Sequence, residues 1–311
     1  MIQFLVKRFI GLIFVLICVT FITFIMGYFA PGDPIRVLLG THFNPVTYAQ
    51  LRHQYGLDLP WYQQYFNFVN GLLHLSFGYS FNYQGEPVWN IISNSLGASA
   101  ELGLWGLILT FIIGIPLGII AALRMNTWVD TAIMGFALAC WAIPIFVLAI
   151  YGQVIILTLH SSVGLIWPVS GWDGIQAKIV PILIFAFAGM ASVSRYMRTS
   201  MLEVLQQDYI RTARAKGLLE RAVIYRHALR NALIPIVTLF GVALGLVVTS
   251  LFFLEQIFNI SGIGSTSISA INNRDYPVIQ ATVIIGAIAV VLGNLIADLL
   301  YSVIDPRIKT E

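Results

Sequence analysis

The chain has little charge: Asp, Glu, Lys and Arg make up 10% of its 311 residues, against about 25% in a typical soluble domain. That shortage, with a hydrophobic fraction of 58% and a mean hydropathy of +0.85, excludes an ordinary water-soluble domain and makes lipid the solvent of most of the chain. A net charge of +3 is too small to argue for nucleic acid. Cysteine is equally scarce. Cys18 and Cys140 lie far apart inside apolar runs, which reads as two buried small hydrophobes rather than a disulfide or metal pair. Catalytic and nucleotide motifs are missing too. No G-x-x-x-x-G-K-[ST] loop is present to cradle ATP phosphates, and neither H-E-x-x-H nor G-x-S-x-G occurs. The five histidines, His42, His53, His74, His160 and His227, have no metal-ligand spacing. The sequence thus predicts neither an enzyme nor a bound cofactor or metal.

What remains is a set of long oily runs. A helix needs about 20 apolar residues to cross the hydrocarbon, and six stretches meet or approach this: 9–29, 97–123, 129–159, 179–194, 231–254 and 279–304. Each is continuously apolar rather than alternating, which predicts helices and not barrel strands. The fold class expected is therefore all-α, with six transmembrane helices. The first run follows Lys7 and Arg8 but is too long for a signal-peptide core, so it reads as a retained span. Six spans put both termini on one side of the membrane, and that side receives 13 of the 17 Lys and Arg. By the positive-inside rule the termini and the long 195–230 loop are cytoplasmic. The organisation expected is an N-terminal span (1–30), an extracytoplasmic segment (31–96) rich in aromatics and turn residues, and a five-helix core (97–311) containing the loop.

That loop gathers eight cations between Arg195 and Arg230. It reads as two short helices. The first starts at Ser200 and Glu203, which have capping-box spacing, and carries Leu202, Leu205, Tyr209 and Ala213 on one face. Gly217 suits its C-terminus, where a left-handed residue ends the turn, and Arg214 and Lys216 favour the negative end of its dipole. The second starts near Leu219 and runs into the fifth span. Topology and anionic lipid account for many of these cations. They do not account for a helix–Gly–helix hairpin on which Ala213, Ala215 and Gly217 leave room for another protein. Elsewhere, Glu101 and Asp298 sit near the ends of spans two and six and read as structural hydrogen-bonding groups, while Asp130 reads as a cap at the start of span three. Pro and Gly recur within spans, at Gly114, Pro116, Gly118, Pro144, Pro235, Gly241 and Gly245. They read as ordinary transmembrane residues or as kinks and close helix contacts.

The stretch 211–235 resembles the cytoplasmic coupling motif of ATP-binding-cassette importer permeases: Glu-Ala-Ala, a Gly four residues later, then Ile-x-Leu-Pro. Here those positions fall on Arg211, Thr212, Ala213 and Gly217, and later on Ala232, Ile234 and Pro235. Arg and Thr replace the leading Glu and Ala, and the interval from Gly to Pro is longer by about five residues. Both departures resemble the dipeptide/oligopeptide branch, as do "EVLQQDYIRTARAKG", "HALRNALIPIVT", "PGDP", "RDYPVIQ" and the closing "DPRI". In the last outer loop, Ser261-Gly262-Ile263-Gly264 stands where that branch usually has Pro-Gly-Leu-Gly. Such a loss of proline is expected to loosen the loop.

The resemblance implies a six-span permease subunit of the inner (plasma) membrane of a prokaryote, paired with a second permease. Two cytoplasmic ATPases would bind ATP and magnesium, and an extracytoplasmic binding protein would deliver peptide. It implies that Glu203, Asp208, Tyr209, Arg211, Thr212, Ala213, Arg214, Ala215, Lys216 and Gly217 meet the ATPase. Trp141 and Pro144 are the candidates for the substrate path. Nickel chelates and glutathione stay open as substrates. An ion-gradient-driven carrier is the alternative class, disfavoured by the lack of an internal repeat and of midplane charges.

Overall fold

The computed structural model describes residues 2–40, 43–83, 85–163, 167–247 and 251–304, and among these its regular secondary structure is helical, with one isolated β-bridge between Tyr79 and Pro87. Among the described residues, five helices are long and apolar enough to span a membrane, and a bent pair makes a sixth. The six-span all-α expectation therefore stands. The closing "DPRI" segment and the side chain of Asp298 lie outside the described residues.

By contact, the chain divides into two units, with boundaries at 99/100, 256/257 and 291/292 that each fall inside a helix. Unit 1 comprises Met1–Ser99, Val248–Gln256 and Ser261–Val291. It holds α1 (Ile2–Phe29), α2 (Pro34–Leu39), α3 (Pro45–Gln54), α4 (Trp61–Leu73), the first turns of α5 (Val88–Leu123), α13 (Phe252–Ile257, all but its last residue), α14 (Ile263–Asn272) and the first half of α15 (Tyr276–Ile304). The two short helices α2 and α3 start in the same way. Asp33 and Asn44 accept from the backbone N–H two residues on, and a proline occupies the first helical position, where its missing N–H costs nothing. The core of this unit packs Phe77, Val88 and Ile92 against Ile263, Ala270, Val278, Ala281 and Ile284.

Unit 2 comprises Ala100–Val247, Ile257–Ile260 and Leu292–Glu311. It holds the rest of α5, α6 (Trp128–Ala142), α7 (Ile145–Val163), α8 (Gly174–Leu205), α9 (Asp208–Ala215), α10 (Glu220–Ala222), a π-helical stretch (Val223–Ala228), α11 (Leu229–Ala232), α12 (Ile234–Leu246) and the end of α15. Its core runs through Ile119, Val193, Met197, Met201, Val223, Ala228 and Ile236. Glycine sets the close approaches. A Cβ on Gly118 would stand 2.5 Å from the Ser194 carbonyl, and one on Gly114 would stand 2.8 Å from Val193 Cβ. These two glycines therefore serve close packing of α5 on α8, one of the two readings open from sequence.

Two spans are less regular than the hydropathy suggests. The predicted third span, 129–159, is two helices broken at Ile143–Pro144. Ile143 is pushed to extended backbone (φ −83°, ψ 122°) by the proline after it, and α7 restarts on the Pro144 carbonyl, which accepts from Val147 and Leu148. The predicted fifth span, 231–254, begins within a bent element. Glu220–Ala232 and Ile234–Gly245 meet at 46°, next to Pro235, and residues 248–250 lie outside the described residues. Apolarity marks where a chain is buried in lipid but not where proline interrupts the ladder of hydrogen bonds.

Candidate functional site

The basic loop folds as an elbow whose inner side is packed and whose outer side is bare. The expected first helix does not begin at Ser200. α8 continues to Leu205, and Ser200 lies buried within it, where its hydroxyl donates to the Ala232 carbonyl at 2.9 Å. The capping-box reading of Ser200 and Glu203 is thus corrected: a helical run already in progress leaves no N-terminal amides to cap. The chain breaks at Gln206–Gln207, and α9 starts at Asp208, an acid at the positive end of its dipole.

α9 is strongly two-sided. Ile210 and Ala213 are buried in the unit 2 core, and Tyr209 reaches back to accept from the Asn231 amide at 2.7 Å. Arg211, Thr212, Arg214, Ala215, Lys216 and Gly217 are exposed. Ala213 is therefore not part of the open surface, as the sequence suggested. Its small side chain serves packing, and Ala215 and Gly217 carry the open space alone. The helix ends as its glycine predicts. Gly217 adopts φ +73°, its N–H bonds the Arg214 carbonyl at 2.9 Å, and the Leu218 N–H reaches the Ala213 carbonyl at 3.4 Å. This pair of reversed bonds is the Schellman arrangement. Leu218 and Leu219 follow, 42% and 80% exposed. Both oily side chains stand beside the exposed cations Arg211, Arg214 and Lys216.

One ion pair staples the elbow shut. Arg214 donates to both oxygens of Glu220, at 3.2 and 2.7 Å, across the Gly217 turn. The bonded guanidinium holds the Glu220 carboxyl below the usual carboxylate range. The pair's contribution is present above that range and is lost as pH falls through the lowered value. Both groups are about half exposed, so the pair contributes about 0–1 kcal/mol. We expect Arg214→Ala to raise the Glu220 titration midpoint in carboxyl-labelled NMR spectra, and an unmoved midpoint would refute the pairing.

A second ion pair sits at the foot of the elbow. Asp130, in the first turn of α6, accepts from Arg198 Nε and Nη2, both at 2.7 Å, and from the Asn126 N–H at 3.1 Å. It therefore ties α6 to α8 and closes the preceding turn instead of capping α6, where Thr127 holds the cap position. Arg195, one turn earlier on α8, stands over the Trp141 ring at 5.4 Å. Trp141 and Pro144 are both exposed within this chain.

The other charged groups are structural in geometry. Glu101 accepts two bonds from Lys178 Nζ at 2.7 Å and one from Trp172 at 2.9 Å, the hydrogen-bonding role expected of it. Sequence reading passed over Glu255 because it stands at the end of an apolar run. It is fully buried. It accepts from the Ser99 hydroxyl at 2.6 Å and from the Ser265 N–H at 3.0 Å, and the Gly264 N–H also donates to it. Ser99 in turn accepts from the Ile263 N–H at 2.7 Å. The carboxylate thus caps the start of α14, and glycine makes room for it. A Cβ on Gly262 would come within 2.3 Å of the Glu255 carboxyl group. The "FNISGIGS" loop is held here by its neighbouring acid. We expect Glu255→Ala to remove the acceptor from two buried donors, the Ser99 hydroxyl and the Gly264 N–H, at about 1–3 kcal/mol each. The melting temperature of the detergent-purified chain should fall by several degrees, and an unchanged value would refute the cap. No group of three His, Cys, Asp or Glu among the described residues is placed to hold a metal ion.

Comparison with known proteins accounts for the whole chain. Residues 114–310 match the family described as binding-protein-dependent transport system inner membrane component, and residues 1–103 match the N-terminal part of that membrane component. The chain is 37% identical over 320 residues to the oligopeptide transport system permease protein AppB of Bacillus subtilis, covering 99% of this chain and all of that one. It is 38% identical over 310 residues to the dipeptide transport system permease protein DppB of Lactococcus lactis, with 99% and 100% covered. It is 35% identical over 342 residues to DppB of Escherichia coli K12, with 99% of each covered. Among solved structures it is similar to a chain of the inward-facing MetNI methionine ABC transporter. The TM-score is 0.58 at 15% identity, covering 69% of this chain and 96% of that one. That likeness speaks to fold alone.

Proposed function

This chain belongs to the family of binding-protein-dependent transport system inner membrane components, and on that premise we propose that it is a permease subunit of an ATP-driven importer of di- and oligopeptides. It is a multi-pass, non-catalytic membrane subunit of an ABC importer, and such subunits work with separate ATPase and binding-protein partners. Peptide as the substrate rests on the full-length similarity to dipeptide and oligopeptide permease proteins. The cation bias of the sequence supports cytoplasmic termini and a cytoplasmic elbow. The assembly is one second permease, two ATPases that bind ATP and magnesium, and one extracytoplasmic binding protein.

The observation that carries the coupling role is the two-sidedness of the elbow. Ile210 and Ala213 fix it to the core of unit 2, while its basic outer face with Leu218 and Leu219 is exposed. A rigid knob so anchored passes a push at its tip to α8 and to the bent element behind it. The ATPase cleft receives Asp208, Arg211, Thr212, Arg214, Ala215, Lys216 and Gly217, with Glu203 and Tyr209 at its edge. Trp141 and Pro144 line the path, where the broken third span supplies an irregular backbone.

The test is uptake into proteoliposomes. With the partner permease, ATPases and binding protein present, labelled di- and tripeptides should accumulate only with ATP. Uptake by this chain alone, driven by an ion gradient, would overturn the reading. ATP-driven uptake of nickel chelate or glutathione without peptide uptake would overturn the substrate class.

A further inference from the structure

α4 is a helix of 13 residues with no charged side chain. It is too short to cross the hydrocarbon, which needs about 20 residues. At about 3.6 residues per turn, its sequence sorts into three strips. Trp61, Tyr65, Phe68 and Leu72 form one apolar strip, and Tyr62, Phe66, Val69 and Leu73 form a second beside it. Gln63, Gln64, Asn67 and Asn70 take the rest of the surface.

The first strip is packed. Tyr65 stands edge-on to Phe21 at 5.5 Å and against Phe24 at 5.3 Å, and Phe68 stacks on Phe24 at 6.3 Å. The Tyr65 and Thr20 hydroxyls share a hydrogen bond at 3.3 Å, and Leu72 joins the unit 1 core. The second strip is bare. Tyr62 is 56% exposed, Phe66 70% and Leu73 79%. The packed strip sets the depth of the bare one. Phe24 lies five residues short of Phe29, where the apolar run of α1 ends, or about 8 Å at roughly 1.5 Å per residue. A helix lying in a membrane interface sinks its apolar face about 5–10 Å into the headgroup/acyl boundary. α4 thus meets α1 at the depth of an interfacial helix.

We propose that α4 is a membrane-interface helix whose Tyr62–Phe66–Leu73 strip takes lipid acyl chains of the outer leaflet, so that the 31–96 segment is lashed to the bilayer beside the first span. A soluble partner does not reach 8 Å below the end of a span, and its docking face would carry a polar rim. A second membrane protein is disfavoured by side-chain size. Helix contacts in lipid are enriched in Gly, Ala, Ser and Thr, which let backbones approach, and this strip holds none of them. Trp61 and Tyr62 at the helix start are the residue types that sit at headgroup level. The polar strip is built of amides where interfacial helices commonly carry Lys and Arg, so the contact does not select anionic headgroups. Only the choice of leaflet rests on the proposed orientation of the chain.

The test is spin labelling of Phe66→Cys, Leu73→Cys and Asn70→Cys, each with Cys18→Ala and Cys140→Ala. The chain is assembled with its partner permease in phosphatidylethanolamine–phosphatidylglycerol vesicles. Labels at 66 and 73 should be relaxed more by oxygen than by water-soluble chromium oxalate, at a depth of about 5–10 Å below the phosphates. The label at 70 should show the reverse. Labels at 66 and 73 as open to chromium oxalate as the one at 70 would place the helix in water. Labels there closed to both reagents would place protein over it. Either result overturns the proposal. The native chain gives a second measurement without substitutions. A phosphatidylcholine with a diazirine in its acyl chain should mark Tyr62, Phe66 and Leu73 and spare Gln63, Asn67 and Asn70, equally with and without phosphatidylglycerol. No mark in 61–73, or a mark that needs phosphatidylglycerol, would overturn the acyl-chain contact. An impermeant maleimide should reach Asn70→Cys in intact cells. Reaction only after lysis would overturn the orientation reading and the leaflet, and leave the interfacial helix standing.

Discussion

Gly217→Val is expected to abolish ATP-driven peptide uptake while ATP hydrolysis by the assembled complex continues or the ATPases dissociate. Two effects add. The residue sits at φ +73°, in the left-handed region that a β-branched side chain enters at a cost of about 1–2 kcal/mol. The new side chain also projects into open space, because nothing lies within 4 Å of a Cβ at this position. In the proposed assembly that space belongs to the ATPase cleft. Gly217→Asn separates the two effects, since Asn tolerates the left-handed conformation but still fills the space. If Asn restores folding but not uptake, the space is what matters. Wild-type uptake by Gly217→Val, or after deletion of 213–217, would remove the coupling role.

Gly293→Leu is expected to prevent the chain from being purified as a monodisperse species. α12 and α15 meet through glycine, backbone against backbone. A Cβ on Gly293 would stand 2.3 Å from Gly245 Cα and N, and one on Gly241 would stand 2.1 Å from Ala297 Cβ. No side-chain rotation relieves a collision with main chain, so the helices must separate. Overpacking in a fitted core costs about 1–3 kcal/mol even where side chains can yield, and here they cannot. Packing is the main source of helix association in lipid. Gly293→Ala should show a smaller loss of melting temperature in the same direction. A Leu variant that melts with wild type would refute the contact.

Span number, helical class and the left-handed turn at Gly217 were legible because each depends on local chemistry: continuous apolarity, or one residue type at one conformation. The elbow's outer face was legible for the same reason. What could not be read depends on distant partners. Glu255 reads as the acidic edge of an oily run until Ser99, 156 residues away, is brought to it. Ser200 has the spacing of a cap but lies inside a longer helix, and only the site of the real break, at Gln206–Gln207, shows this. Ala213 reads as a small surface residue beside Arg214 and becomes core once α9 lies against Met197, Met201 and Val223. Proline was ambiguous in the same way. Pro116 lies within the unbroken α5, whereas Pro144 divides the third span.

The Glu255 cap is made by neutral donors in a dry setting, so dissolved ions have nothing to screen there. The Arg214–Glu220 staple and the cations around it stand in water, where 0.15 M salt reduces electrostatic reach to about 8 Å. In the proposed assembly, rising ionic strength should therefore weaken whatever part of the elbow's grip on the ATPase is carried by these cations, while leaving the capped helix α14 intact. A complex stripped by high salt should shed its nucleotide-binding subunits first and keep a folded permease behind.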